Sequence, residues 1–231
     1  MSISANGGAG SRETIARVTL RPIGSSLPLG AFALVPSGLL LSGMQLGWFA
    51  PSDSVAIGYL LVGFAFPLQL LASVLAFLGR DALVGTGFGV FAGFWLAFGL
   101  VQVTGSVGMT SDVLGVFFLS GALILALLMG GGIVGGKTAA GGIILMGSAR
   151  FILGGLYELT GSTGLESAAG IVGLVFVAIA GYVGLAAVLE DTNHGAILPL
   201  GRRGRAKAAF TSDLAAQTDQ LEHEAGVRDQ L

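Results

Sequence analysis

Six long runs with almost no charge decide what this chain can fold into: 29–49, 54–79, 82–103, 113–135, 138–159 and 168–189. A helix needs about 20 mostly apolar residues to cross the hydrocarbon of a bilayer, and each run meets that length. The runs are continuously apolar instead of alternating with a period of two, and they are too long for barrel strands. The expected fold is therefore an all-α membrane protein, a six-transmembrane-helix bundle. Residues 1–28 are expected to form a polar N-terminal tail, 29–190 the membrane domain and 191–231 a polar C-terminal tail. Arg12, Arg17 and Arg21 occur in 1–28 without an apolar core followed by a cleavage site, so this stretch reads as a retained tail and not as a signal peptide.

The cations test the span count. Only 10% of the chain is charged, far below the roughly 25% of soluble domains. If both termini are cytoplasmic, Arg12, Arg17, Arg21, Arg80, Lys137, Arg202, Arg203, Arg205, Lys207 and Arg228 all fall inside, which is ten of the eleven Lys and Arg. The outer connections carry Asp53, Asp112 and Glu166, with Glu158 at a helix end. Cytoplasmic enrichment of Lys and Arg in short loops sets orientation, and a wrong number of spans would scramble the separation. Trp48 and Phe49 fit an outer interfacial anchor, whereas Phe94 and Trp95 sit mid-span and leave pore, lipid and a neighbouring subunit open as surroundings. The 40 glycines include pairs such as Gly43 and Gly47, Gly85 and Gly89, Gly132 and Gly136, and Gly170 and Gly173. Small residues let membrane helices approach closely, so a tight bundle follows.

Several function classes drop out. The chain has no cysteine, and His194 and His223 lie in the polar C-terminal region. No metal site or cofactor is expected, no serine, histidine and acid set falls within the spans, and the chain does not read as an enzyme. A net charge of −2 gives no reason to expect nucleic acid. Residues 131–138, GGIVGGKT, match the phosphate-binding loop of nucleotide hydrolases letter by letter. That loop works only after a strand, within a soluble sheet and beside an acidic magnesium partner. Here it joins two spans, and is expected to be a turn with Lys137 as a topology anchor. Gly87, Gly89 and Ala92 imitate a dinucleotide fingerprint and fail for the same reason.

The informative residues are those costly to place in lipid: Ser37, Ser42, Gln45, Gln69, Ser73, Thr86, Gln102, Ser120, Ser148 and Arg150. For the hydroxyls, a bond to the helix backbone or to a neighbour is the default. Gln69 follows Pro67, which removes a backbone donor. Its amide then either lines a cavity or satisfies the kinked backbone, and Pro36 should disturb the first helix in the same way. Arg150 lies about 20 Å along the fifth helix from Lys137 at 1.5 Å per residue. A charge at that depth costs about 3 kcal/mol on insertion scales, so it must meet water or an acceptor. Glu158, eight residues on, is poorly placed to pair with it. Two roles stay open for Arg150, attraction of a small anion in a wet passage and structural tethering to carbonyls or headgroups.

At four separated places the chain resembles the acetate uptake transporter family. The segment SSLPLGAFALVPSGLLLSG, 25–43, is similar to its N-terminal signature through Pro28, Leu29 and Gly30. GTGFGVFAGFW, 85–95, shares Phe94 and Trp95 with a family stretch, Gln69 stands at a family glutamine, and 182–201 matches the family's end at Tyr182, Leu198, Pro199 and Gly201. The resemblance implies a homohexamer of six-helix protomers, each with its own path for acetate or a related carboxylate. It places Leu34 where the family has a pore Phe and Phe91 where it has a pore Tyr, with a third constriction near Met146 or Gly147. Ser25 replaces a family Asn, Ala76 stands where many members have Glu, and Arg150 has no counterpart in the family pattern.

The resulting expectation is a channel or transporter for small monocarboxylates in the plasma (inner) membrane, with a path along Leu34, Gln69, Thr86, Phe91 and Arg150. Apolar constrictions at Leu34 and Phe91 would gate by narrowing and dewetting. A bare carboxylate resists losing its hydration there, so either Gln69, Thr86 and Arg150 hold it or it crosses with a proton. A urea or short-amide channel and a non-transporting membrane scaffold are the alternatives. Arg202, Arg203, Arg205 and Lys207, directly below the sixth span, are expected to attract anionic lipid at about 1 kcal/mol per cation.

Overall fold

Hydrocarbon offers no hydrogen bonds, so each span must satisfy its own backbone, and a helix does so within one segment. The computed structural model describes residues 24–105, 108–193, 195–204, 206 and 207. It contains six helices long and apolar enough to cross a membrane: α1 (Leu27–Gln45), α2 (Pro51–Leu78), α3 (Ala82–Thr104), α4 (Asp112–Val134), α5 (Thr138–Thr160) and α6 (Thr163–Asn193). Among the described residues there is no strand, only an isolated bridge between Lys137 and Arg202. The expected all-α, six-span bundle is therefore observed, and the chain is a multi-pass membrane protein. The expectations on Arg12, Arg17, Arg21, His194, Arg205, His223 and Arg228 concern positions outside the described residues.

The ends differ from the sequence-based ranges by a few residues, and each difference has a local cause. α1 stops at Gln45, and Gly47 adopts a left-handed φ of 71°, which glycine reaches without a Cβ clash. Trp48 and Phe49 thus lie in the connection, partly exposed, with their rings over Gly43. α5 ends on the left-handed Gly161, a common helix stop. α6 begins at Thr163, earlier than the apolar pattern suggests, and its 31 residues extend about 46 Å at 1.5 Å per residue. That exceeds the hydrocarbon, so its ends project beyond it or the helix tilts. Asp81 caps α3 by accepting from Val84 N at 3.2 Å, and Ser111 caps α4 by accepting from Leu114 N at 3.4 Å.

The two prolines act differently. α1 runs continuously through Pro36, against the expected disturbance. In α2 the residues before Pro67 form a π-helical turn, Leu61–Ala65, in which Phe66 N–H reaches back to Leu61 O. The wider turn makes room for a ring that would otherwise strike the preceding carbonyl.

Packing is most extensive between α4 and α5, α1 and α6, α2 and α3, and α5 and α6. Glycines set the closest approaches. A Cβ at Gly58 would lie 2.6 Å from Gly99 O, and one at Gly99 would lie 2.8 Å from Gly58 O. Gly115 and Gly155 stand in the same reciprocal relation across α4 and α5, at 3.1 and 2.9 Å. Here the partner is backbone, which cannot rotate away. Gly99→Val is expected to force α2 and α3 apart and destabilise the bundle by about 1–3 kcal/mol, the usual range for overpacking. A lowered thermal midpoint of the full-length protein in detergent checks this, and an unchanged midpoint would mean that the helices yield freely.

Candidate functional site

At the end of the bundle formed by the α1–α2, α3–α4 and α5–α6 connections lies a cavity of about 520 Å³. It reaches in to Leu41, Phe98 and Phe118, roughly two turns from the helix ends, and its sides include Gln45, Ser54, Gln102, Tyr157, Glu158 and Glu166. The expected outer acids Glu158 and Glu166 thus share one vestibule. Glu158 accepts from Ser111 N at 2.8 Å, and Glu166 lines the cavity together with Tyr157. Ser54 is buried, and its hydroxyl has no hydrogen-bond partner among the described residues.

Arg150 lies directly behind this vestibule, only 3% exposed. It faces the interior of the bundle and not lipid. Its Nη1 donates to Gly38 O at 3.4 Å and its Nη2 to Gln45 Oε1 at 3.2 Å, while Nε has no acceptor. Among the described residues no carboxylate pairs with it, in keeping with the poor placement of Glu158 in the sequence. Glycines make the space: a Cβ on Gly173 would sit 2.7 Å from both Cζ and Nη1, and one on Gly38 would sit 3.7 Å from Nη1. Ser42 Oγ, buried and without a partner, also lies against Gly173. Gln45 belongs to two places, because its side chain lines the vestibule and its amide oxygen holds the guanidinium.

Beneath the vestibule the bundle is closed by aromatic rings. Phe98 meets Phe118 at 5.5 Å between centroids, Phe118 meets Phe151 at 5.4 Å, and Phe151 contacts Phe94 at 4.7 Å and Phe91 at 6.0 Å. Phe91 also meets Phe176 at 5.6 Å. Edge and tilted contacts of this kind add to the apolar burial. Phe94 and Trp95, whose surroundings were open in the sequence, are both buried inside the protomer. Leu34 is fully buried and Phe91 nearly so. The Phe91 ring lies over Gly147, where a Cβ would come within 2.8 Å of its Cζ, and the neighbouring Met146 packs against the same core.

Gln69 follows neither alternative in full. It is completely buried, and its Nε2 donates to Gly30 O at 2.5 Å. The amide therefore ties α2 to α1 instead of satisfying its own kinked helix, and Oε1 is left without a partner. Thr86, on α3, is partly exposed and stands apart from this buried group. Ser37 donates to Ala33 O at 2.8 Å and Ser148 to Ala122 O at 2.9 Å, the default expected of membrane hydroxyls.

The opposite end gathers the described cations other than Arg150. Lys137 pairs with Asp81 at 2.6 Å, Thr138 Oγ1 donates to Gly201 O at 2.5 Å, and Arg203 N donates to Gly136 O at 2.9 Å. The GGIVGGKT stretch is thus a helix end and a turn with the left-handed Gly136, as expected. Arg202 grips Glu190 in a bidentate pair, with Nη2 to Oε1 at 2.7 Å. Its charge is taken up within the protein, whereas Arg203 and Lys207 are exposed.

Sequence reasoning singled out Leu34, Gln69, Thr86, Phe91 and Arg150, and did not anticipate the contacts made by Gln45, Phe151, Phe176 and Gly173. A heptad-like spacing of Phe88, Phe91, Trp95 and Phe98 on α3 was available as a signal for the aromatic layer. Nothing local to Gly173 announced the guanidinium that rests on it from another helix.

A family model described as the GPR1/FUN34/yaaH family matches residues 7–201. Among solved structures, that of the bacterial acetate channel SatP is similar with a TM-score of 0.68 at 21% identity, over 78% of this chain and 99% of that one. No curated protein sequence matches the chain.

The Gly173 contact is directly testable. Gly173→Ala is expected to push the guanidinium off its acceptors and to cost about 1–3 kcal/mol, read as a lower thermal midpoint. Ala at Gly142, where a Cβ would meet only Ile179 at 3.9 Å, should leave the midpoint nearly unchanged.

Proposed function

The chain belongs to the GPR1/FUN34/yaaH family, and from that premise we propose that it forms a channel for small monocarboxylates such as acetate. The observation that carries this reading is a largely apolar vestibule, dotted with Gln45, Ser54, Gln102, Glu158 and Glu166, that ends on a layer of packed aromatic rings, in a fold shared with a protein described as an acetate channel. The solute enters among Gln45, Ser54 and Gln102, and passes a constriction of Leu34 and Phe91 that opens by side-chain rotation. Narrow apolar constrictions of this kind gate by excluding water. Arg150 and Gln69 supply donors on either side of that layer, and Thr86 lies farther along the path. A carboxylate that keeps its charge needs such donors; one that crosses as the neutral acid needs them less, and transport is then linked to a proton.

Orientation and assembly belong to the same proposal. Asp81–Lys137 and the segment 199–203 mark the cytoplasmic end and the vestibule opens outward, with 1–28 and 191–231 both inside a plasma (inner) membrane. The protomers assemble as a homohexamer, and the apolar outer face of α2, with Leu70, Leu71, Val74 and Phe77 exposed, is divided between lipid and neighbours. Arg203 and Lys207 reach anionic headgroups.

Two measurements test this. Because the chain has no cysteine, single-cysteine variants report sidedness without background. Ser52→Cys in intact cells is expected to react with a membrane-impermeant maleimide, and Ala206→Cys only after permeabilisation; the reverse pattern overturns the orientation. In proteoliposomes, wild-type protein should pass labelled acetate. Phe91→Ala should raise that flux several-fold and admit longer carboxylates. Equal rates for wild type and empty vesicles would favour the scaffold reading, and a flux of urea without acetate the amide channel.

A further inference from the structure

The Arg150 guanidinium is a fixed charge, 3% exposed, at the meeting of α1, α5 and α6, with no carboxylate beside it among the described residues. Buried charges are ordinarily paired. A guanidinium has five N–H donors, yet this one makes two hydrogen bonds, both to neutral oxygens and both long, at 3.4 and 3.2 Å. The Ser42 hydroxyl, also without a partner, lies with it against Gly173. Two sets of idle donors therefore converge on one buried spot.

We propose that the Arg150 guanidinium, Ser42 Oγ and Gln45 form a site for one small monovalent anion, a carboxylate or a halide, which arrives from the vestibule and displaces the Gln45 amide oxygen. Gln45 is the door. Its side chain lines the vestibule while its Oε1 occupies the Nη2 position that an anion would fill. It can move, because it stands over Gly154, where even a Cβ would come no nearer than 3.7 Å to its Nε2. The neutral amide is a weak stand-in, since it brings one acceptor and no counter-charge, whereas a carboxylate can accept two parallel bonds from a guanidinium and neutralise it. The vestibule also orders the charges by depth. Glu158, which accepts from Ser111 N, and Glu166 line it, and the cation lies behind Gln45. An anion is thus favoured at the inner position and opposed at the acids. Where the anion is the carried carboxylate, the inference rests on the channel reading; a halide site would stand without it.

The test uses the full-length protein in detergent, in sodium gluconate, whose anion is too bulky for the site. Acetate or chloride is exchanged in at constant ionic strength. The thermal midpoint of the wild type is expected to rise saturably with at least one of them. Acetate alone assigns the site to the carried carboxylate, chloride alone to a halide, and both to monovalent anions in general. Gln45→Glu supplies a permanent counter-charge, so its midpoint in gluconate should exceed that of the wild type, and its response to added anion should weaken about tenfold or more, the scale of a hydrogen bond to a charged group. Ser42→Ala should weaken the wild-type response about fivefold, as one neutral donor would. A wild type without a saturable response overturns the site whatever the variants do, as does Gln45→Glu responding like the wild type. Labelled-acetate flux in parallel vesicles separates the two readings. Flux without saturable stabilisation removes the site alone, and stabilisation without flux removes the channel and leaves the site.

Discussion

Hydrocarbon cannot solvate a polar atom, and nearly every feature of this bundle follows from that one property of its surroundings. Each span closes its backbone hydrogen bonds internally as a helix. The hydroxyls of Ser37 and Ser148 return to carbonyls of the bundle, and the π-turn before Pro67 rearranges the backbone bonds around a missing donor. With no hydrophobic force to press helices together inside lipid, close packing must hold them. That explains why backbone meets backbone at Gly58 and Gly99 and at Gly115 and Gly155.

Arg150 is where the same constraint is least satisfied. A guanidinium that cannot shed its proton is placed among glycines, two neutral acceptors and an idle serine hydroxyl. A protein built only for stability would have an apolar residue there, because replacing buried charge by well-packed apolar groups is often neutral or stabilising. The residue sits between the vestibule and the aromatic layer. The geometry thus joins an electrostatic feature to a steric one: a cation just outside a closure formed by Phe91, Phe151 and Phe176.

The two ends of the bundle are built differently. One is an open cavity with acids at its sides, where Glu158 accepts from Ser111 N. The other is stitched by Lys137 to Asp81, Arg202 to Glu190, and Thr138 to Gly201. These bonds hold the segment after α6 against the α4–α5 turn.

Much of this was legible in the residues. Six apolar runs imposed six helices, because their length and continuity admit nothing else in a bilayer, and the separation of Lys and Arg from Asp and Glu implied that the same connections lie at the same end. Pro67 and Arg150 stood out by composition alone, as groups too costly to be incidental. What each polar group touches was not legible. Gln69 binds Gly30, 39 residues away, and Arg150 binds Gly38, 112 residues away, and no periodicity within one helix encodes which face of another it will meet. The rotation and depth of each helix are fixed jointly by all its neighbours through glycine contacts and ring packing. The sequence alone therefore determined that an arginine must be sheltered within a six-span bundle. Only the tertiary structure decided that its shelter is a glycine-walled recess behind Gln45, because that recess exists only where α1, α5 and α6 come together.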